Sequence, residues 1–140
     1  MRSKIAFSVL FCFFVVVAMG GAADAGKEKA AASSAEKWLG LIDQGRYGES
    51  WTEAAAFFKS SVAKAQWEKM VQSVRSPLGK LLSRKFVKAT YATTLPGAPD
   101  GEYVIVQFET SFENKKSAIE TVTPMLDKDG QWRVSGYFIK

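Results

Sequence analysis

Two glutamates on neighbouring strands are the residues of this chain best suited to acid–base chemistry. Glu109 lies in a run of alternating apolar and polar residues over 102–113, and Glu120 lies in the next such run, 117–126. A tight turn at Asn114-Lys115 sets Glu113 opposite Lys116, and the same register sets Glu109 opposite Glu120. Carboxylates held side by side cannot both ionise freely. One pKa rises, and the two can divide the roles of acid and base. A basic neighbour such as Arg84 or Arg133 would neutralise them instead, and a register shifted by one pair would part them.

Other chemistries are restricted by what the chain lacks. It has no histidine, and its one cysteine is Cys12, in the first apolar run. Ser-His and Cys-His nucleophile systems and imidazole metal ligands are therefore excluded. Beyond position 12 there is no thiol for a disulfide, a metal site or redox work. Asp, Glu, Tyr, Lys and Ser remain. Ser34-Ala-Glu-Lys37 and Ser61-Val-Ala-Lys64 have the Ser-x-x-Lys spacing of serine acyl-enzymes, but neither has a Lys-Thr-Gly or Ser-Asp-Asn partner. Both serines fall where a helix start favours a capping hydroxyl. Asp127-Lys-Asp-Gly130 resembles the opening of a calcium loop, yet a strand follows at once without the later ligands, so it reads as a hairpin turn. No catalytic residue, metal site or cofactor is assigned.

The elements that would position these residues follow from periodicity. Gly26 to Ser34 is small and polar and reads as a flexible lead. Ala31, Ala35, Trp38 and Ile42 recur at helical spacing, with Gly45 as a stop. Trp51, Ala54, Ala55 and Phe58 predict a second helix, started by the capping-box spacing of Ser50 and Glu53. Trp67, Met70, Val71 and Val74 predict a third, ended at Ser76-Pro77. Tryptophans at such spacing are expected in the core.

Strands follow the helices. The stretch 81–95 contains Phe86, Thr90 and Tyr91, and Pro96 to Gly101 is a turn-rich loop. Over 102–113, Val104, Val106, Phe108, Thr110 and Phe112 share one face, and Tyr103, Ile105, Gln107, Glu109 and Ser111 share the other. A strand from Ser117 to Leu126 and a last one through Trp132, Val134, Gly136 and Phe138 complete the pattern. Connections this short make neighbouring strands antiparallel. Pro124 cannot donate a ladder hydrogen bond and belongs at a bulge or a strand end. The expected fold is α+β, with three N-terminal helices on a curved four-stranded antiparallel sheet.

Composition supports a folded domain. The chain has 140 residues, 47% hydrophobic and 24% charged, which suits one globular unit and argues against global disorder. Its start is different. Arg2 and Lys4 precede an almost wholly apolar run over Ile5 to Met19, and Ala23-Asp24-Ala25 fits a small-x-small cleavage pattern. The run is short for a membrane span. The expectation is a cleavable signal peptide over 1–25, with cleavage after Ala25 or Ala23, a lead over 26–34 and a single domain over 35–140. The expected location is periplasmic or secreted, with no integral span after cleavage. Lys64, Lys69, Arg75, Lys80, Arg84, Lys85 and Lys88 face only Glu68 in their stretch. That run reads as a solvated face or as a surface for anionic envelope material. Nucleic acid is not an expected partner of an exported protein without a binding motif.

The ending Asp129-Gly-Gln-Trp-Arg-Val-Ser-Gly-Tyr137 resembles the last hairpin of the NTF2-like (cystatin-like) superfamily, in which a curved sheet wraps helices and can enclose a pocket. The chain as a whole resembles the domain of unknown function (DUF) 4019 family of exported bacterial proteins. The stretches that carry this are Trp38-Leu with Asp43-Gln-Gly-Arg-Tyr-Gly-Glu-Ser-Trp51, Trp67, Arg75-Ser-Pro-Leu-Gly79 with Arg84, Pro99-Asp-Gly-Glu-Tyr103, Glu120-Thr-Val and Trp132-Arg-Val-Ser-Gly-Tyr-Phe138. The resemblance brings no established activity. Its polar members are Asp43, Tyr47, Arg75, Arg84, Tyr103, Glu120 and Tyr137, some of which could simply lock helices to sheet. With Glu109 from the register argument, the candidate ligand-binding set is Arg75, Arg84, Tyr103, Glu109, Glu120 and Tyr137. The favoured function is a non-catalytic domain binding an unknown small molecule or envelope protein, with an open sheet face that could support a homodimer through Tyr103, Ile105 or Tyr137. The alternatives are an acid–base enzyme, an isomerase or hydrolase using Asp, Glu or Tyr in an NTF2-like pocket, and an envelope scaffold using the basic face.

Overall fold

Alternation along residues 103–112 builds the centre of the molecule. A computed structural model describes residues 24–140. The expected signal segment, including Cys12, lies almost wholly in 1–23, outside the described residues. Four strands form one curved, open, antiparallel sheet in sequence order: β1 (Leu81–Ala92), β2 (Tyr103–Phe112), β3 (Lys115–Leu126) and β4 (Trp132–Ile139). Val104, Val106, Phe108, Thr110 and Phe112 of β2 are all buried on the inner face, as the period-two pattern requires. Across from them on β3, Ala118, Glu120, Val122 and Pro124 are buried.

The helices cover that inner face. Helix α1 occupies 24–43 and buries Ala31, Ala35, Trp38, Leu39 and Ile42 in one stripe. Residues 26–34, expected as a flexible lead, are helical. They gain partners that local composition does not reveal. Ser34 donates to the Trp132 carbonyl at 2.7 Å, and Lys27 pairs with Glu102 at 2.7 Å while lying over the Tyr91 ring. An ion pair this open to solvent adds little, so burial of the alanine stripe is the main anchor.

The single second helix expected from Trp51 to Phe58 is two helices, α2 (Tyr47–Thr52) and α3 (Ala56–Ser61). Between them the backbone turns into the sheet. Ala54 and Ala55 are fully buried, and the Ala55 N–H donates to the Val134 carbonyl of β4 at 2.8 Å. Spacing alone could not separate one helix from two helix ends meeting at a buried joint. Ser50 is no N-cap; it sits inside α2. Helix α4 (Lys64–Arg75) buries Trp67, Val71 and Arg75, whereas Met70 and Val74 are half exposed. Its N-cap is Ala63, and the hydroxyls of Ser60 and Ser61 both donate back to the Phe57 carbonyl. Neither Ser34 nor Ser61 therefore caps a helix. A 3-10 turn over Ser76–Leu78 carries Pro77, and Gly79 then enters β1 at φ 75°, a conformation a side chain resists. The molecule thus has four helices and this turn among the described residues, where three helices were expected.

Two irregularities shape the sheet. β1 shifts register at Leu82 and Val87, which leaves both side chains exposed. Pro124 sits at a register shift between β3 and β4, where the ladder does not need its missing N–H. At the next turn, the carboxylates of Asp127 and Asp129 both accept from Arg133. The Asp-x-Asp-Gly sequence is thereby used as a hairpin, closed by Gly130 at φ 83°.

Candidate functional site

Six elements each send one polar side chain to the same buried point. Asp43 comes from the end of α1, Arg75 from the end of α4, Arg84 from β1, Thr110 from β2, Glu120 from β3 and Tyr137 from β4. Arg84 is the hub. Its Nη1 and Nη2 donate to the two Asp43 oxygens at 2.7 and 3.0 Å, and its Nε donates to Glu120 Oε1 at 2.7 Å. Thr110 donates to the same Glu120 oxygen at 2.6 Å, and the Tyr137 hydroxyl donates to the other. Arg75 Nη2 reaches Asp43 Oδ1 at 3.0 Å, and the guanidinium stacks on Phe112 with 4.8 Å to the ring centroid.

The formal charges cancel, two guanidiniums against two carboxylates. Asp43 is the last residue of α1, where the helix dipole disfavours an anion, and the two arginines offset that. The Glu120 side chain is completely buried, and those of Arg75, Arg84 and Asp43 are 6%, 14% and 18% exposed. Burial by itself lowers the pKa of Arg84, but the hydrogen bonds and charges of Asp43 and Glu120 outweigh it and raise the pKa above the ordinary guanidinium value. Tyr137 is pushed well above its ordinary 10.0, first by burial, then by the Glu120 charge and hydrogen bond, while Arg75 and Arg84 pull the other way.

The sign of that shift gives a measurable consequence. The unfolded chain loses the tyrosine proton near pH 10, whereas the folded chain holds it to higher pH. The contribution of Tyr137 is therefore complete below pH 10 and is lost as the pH rises beyond it. Urea unfolding of the native protein between pH 9 and 11 is expected to show a steeper alkaline fall than unfolding of Tyr137→Phe. Equal slopes would mean that Tyr137 titrates as freely folded as unfolded.

Of the six candidate residues, the structure brings Arg75, Arg84, Glu120 and Tyr137 together. Glu109 and Tyr103 are elsewhere. The two-residue turn is Glu113-Asn114, one position earlier than expected, and Phe112 pairs with Lys115. A register shift follows, so that Glu120 lies opposite Phe108 and Glu109 lies opposite Ile119. A slip of one residue exchanges the faces of a strand. Glu109 is exposed on the outer face and the paired carboxylates do not exist. Tyr103 is buried at the far end of β2, where its hydroxyl donates to the Pro99 carbonyl at 2.5 Å. Tyr137 points inward, so of the three residues expected on an open sheet face only Ile105 remains there.

Asp43 and Thr110 were outside the candidate set. Thr110 carried a signal, since it is the one polar residue on the apolar face of β2. Asp43 carried none beyond its place among the family-like stretches, because its partners are 32 and 41 residues away.

A second polar knot surrounds Ser50. Trp67 Nε1 donates to its hydroxyl at 2.9 Å, Trp38 Nε1 donates to its carbonyl at 2.8 Å, and Ser50 Oγ donates to the Tyr47 carbonyl. Trp51 Nε1 donates to the Val62 carbonyl at 2.8 Å. Three indoles are thus satisfied within the fold. The Trp132 indole has no acceptor among the described residues. Trp132 lines an open cleft of about 740 Å³ between α1 and β4, with Ser33, Lys37, Trp38, Glu53 and Gln131. Lys37 and Glu53, both exposed, form no ion pair among the described residues. Sequence reasoning missed this cleft, because it is made where α1, the α2–α3 joint and the β3–β4 turn meet.

No curated protein and no solved structure matches the chain. A family model described as "Protein of unknown function (DUF4019)" matches residues 34–137, from the middle of α1 through Tyr137, and so includes all six residues of the buried network. The chain belongs to the DUF4019 family.

Proposed function

We propose that this chain is an exported, non-catalytic binding domain of the cell envelope that takes a small ligand in the cleft between α1 and β4, on a fold of the NTF2-like kind. The carrying observation is the cleft itself. Its volume of about 740 Å³ is in the range of small-molecule sites, and it gathers uncommitted polar groups of both signs beside an indole N–H that has no protein acceptor among the described residues. A ligand with an apolar ring and flanking polar groups suits it.

The acid–base reading loses its pair, since Glu109 is exposed. Glu120 does sit against a tyrosine hydroxyl, but both its oxygens already accept hydrogen bonds and its side chain has no solvent contact. The basic face is also reduced, because Arg75 and Arg84 turn inward and leave Lys64, Lys69, Lys80, Lys85 and Lys88 on the surface.

Native mass spectrometry tests the reading. Residues 26–140, exported and purified gently, are expected to carry a reproducible extra mass that Trp132→Ala and Lys37→Gln/Glu53→Gln both diminish. A bare mass in every preparation, or an extra mass indifferent to both variants, would overturn capture at this cleft.

A further inference from the structure

We infer that a second, smaller cleft, at the solvent end of the buried ion network, is a recognition site for a carboxylate group. It has a volume of about 280 Å³ and lies where the end of α4 meets the start of β1. The inference goes beyond the α1–β4 cleft and does not depend on it.

Arg75, which lines this cleft, is 6% exposed, and its Nε and Nη1 have no hydrogen-bond partner. Only Nη2 is engaged, with Asp43. A guanidinium has five N–H donors, so at least three are unclaimed in a place where an unpaired donor is costly. Around Arg75 stand Tyr47, Ser76 and Lys80. Neither hydroxyl donates a hydrogen bond among the described residues, and Lys80 makes no ion pair there.

The carboxylates facing the same space are largely in use, with the second Glu113 oxygen as the exception among the described residues. Asp43 receives three N–H groups from the two arginines, and Glu113 Oε1 accepts from the Lys80 backbone N–H at 2.7 Å. Free N–H and O–H donors in the cleft therefore outnumber free carboxylate oxygens, which is the composition of an anion site. Its side-chain charges balance, with Arg75 and Lys80 against Asp43 and Glu113. A small monoanion is thus favoured over a dianion, since attraction rests on directed N–H and O–H donors rather than on net field. The orphan nitrogens touch no solvent, so the anion enters past the rim, where the Glu113 carboxylate lies against Gly79. Glu113 is the internal competitor. Replacing it with glutamine removes a repelling charge and keeps an acceptor for Lys80.

Sodium acetate is the probe, with sodium chloride at equal ionic strength as the reference and sodium phosphate for comparison. NMR reads the Arg75 Nε–Hε resonance and the Gly79 and Lys80 amides in the folded protein. Acetate is expected to shift all three with one saturating curve, more tightly than chloride or phosphate. Lys80→Gln and Tyr47→Phe, both at the rim, are expected to weaken the midpoint at least threefold, and Glu113→Gln to tighten it by a similar factor. These variants leave the Asp43–Arg84–Glu120 contacts in place, so loss of fold does not confuse the result. Equal responses to acetate and chloride would overturn the site as an ionic-strength effect. An unmoved Nε–Hε resonance with a water cross-peak would overturn it as a buried water.

Discussion

Arg84→Met is expected to destabilise the protein by about 3–5 kcal/mol, the usual cost of removing one partner from a buried ion network. The variant keeps most of the volume of the side chain and removes its charge. Glu120 then has no solvent and only the neutral donors of Thr110 and Tyr137, while Asp43 keeps a single contact with Arg75. Urea unfolding measures the loss as a fall in midpoint at unchanged slope. The double variant Arg84→Met/Glu120→Gln separates pairing from packing. Glutamine keeps an oxygen for Thr110 and Tyr137 but carries no charge, and Asp43 and Arg75 remain as a neutral pair. The double variant is expected to recover at least half of the loss. A single-variant effect below about 1 kcal/mol would show that Glu120 is easily neutralised or hydrated, contrary to the geometry. The network is therefore costly to break by halves, but it is not a large net source of stability.

The second large effect is expected at Trp38. Trp38→Ala removes a buried ring that joins four elements, and a loss of about 3–5 kcal/mol is expected for an aromatic truncation of this kind. The indole lies 6.0 Å from Trp67 of α4 and 5.3 Å, edge-on, from Tyr137 of β4, and its N–H holds the Ser50 carbonyl of α2. Trp38→Phe keeps part of the ring packing and forfeits the hydrogen bond, so roughly 1–3 kcal/mol is expected, the penalty for a buried group left unpaired. Chemical unfolding of both proteins checks the order. Equal losses in the two would assign the whole effect to the N–H. Because Trp38 touches Tyr137, either variant is also expected to change the alkaline titration of the tyrosine.

The face assignments of β2 were legible in the sequence, because each residue there is placed by its immediate neighbours. The same holds for the antiparallel meander, where turn residues leave little chain between strands. Thr110 was visible as the odd polar residue on an apolar face. Its meaning was not, since Glu120 becomes its acceptor only through the register of β2 with β3. Arg75 and Arg84 illustrate the same limit. In sequence they belong to a basic run that reads as a solvated face, and only the family-like stretches and the nearness of Glu120 to Arg84 marked them as candidates for a site. In the fold they turn inward, because Asp43 and Glu120 arrive from α1 and β3 to meet them. The split of the second helix at Ala54-Ala55 was equally hidden, since the N–H that leaves the helix finds its carbonyl on β4.

By itself the sequence determined an α+β chain whose helices precede a four-stranded antiparallel sheet. It also determined a chemistry without imidazole and, beyond Cys12, without thiol. Those properties rest on residue types and on periods of two and 3.6, which are local. Tertiary structure decided the strand register, the division of α2 from α3, the gathering of six polar side chains into one neutral network and the two clefts beside the helices. Each of these depends on contacts between residues far apart in the chain, and a one-residue slip in a strand reverses which of its side chains are buried.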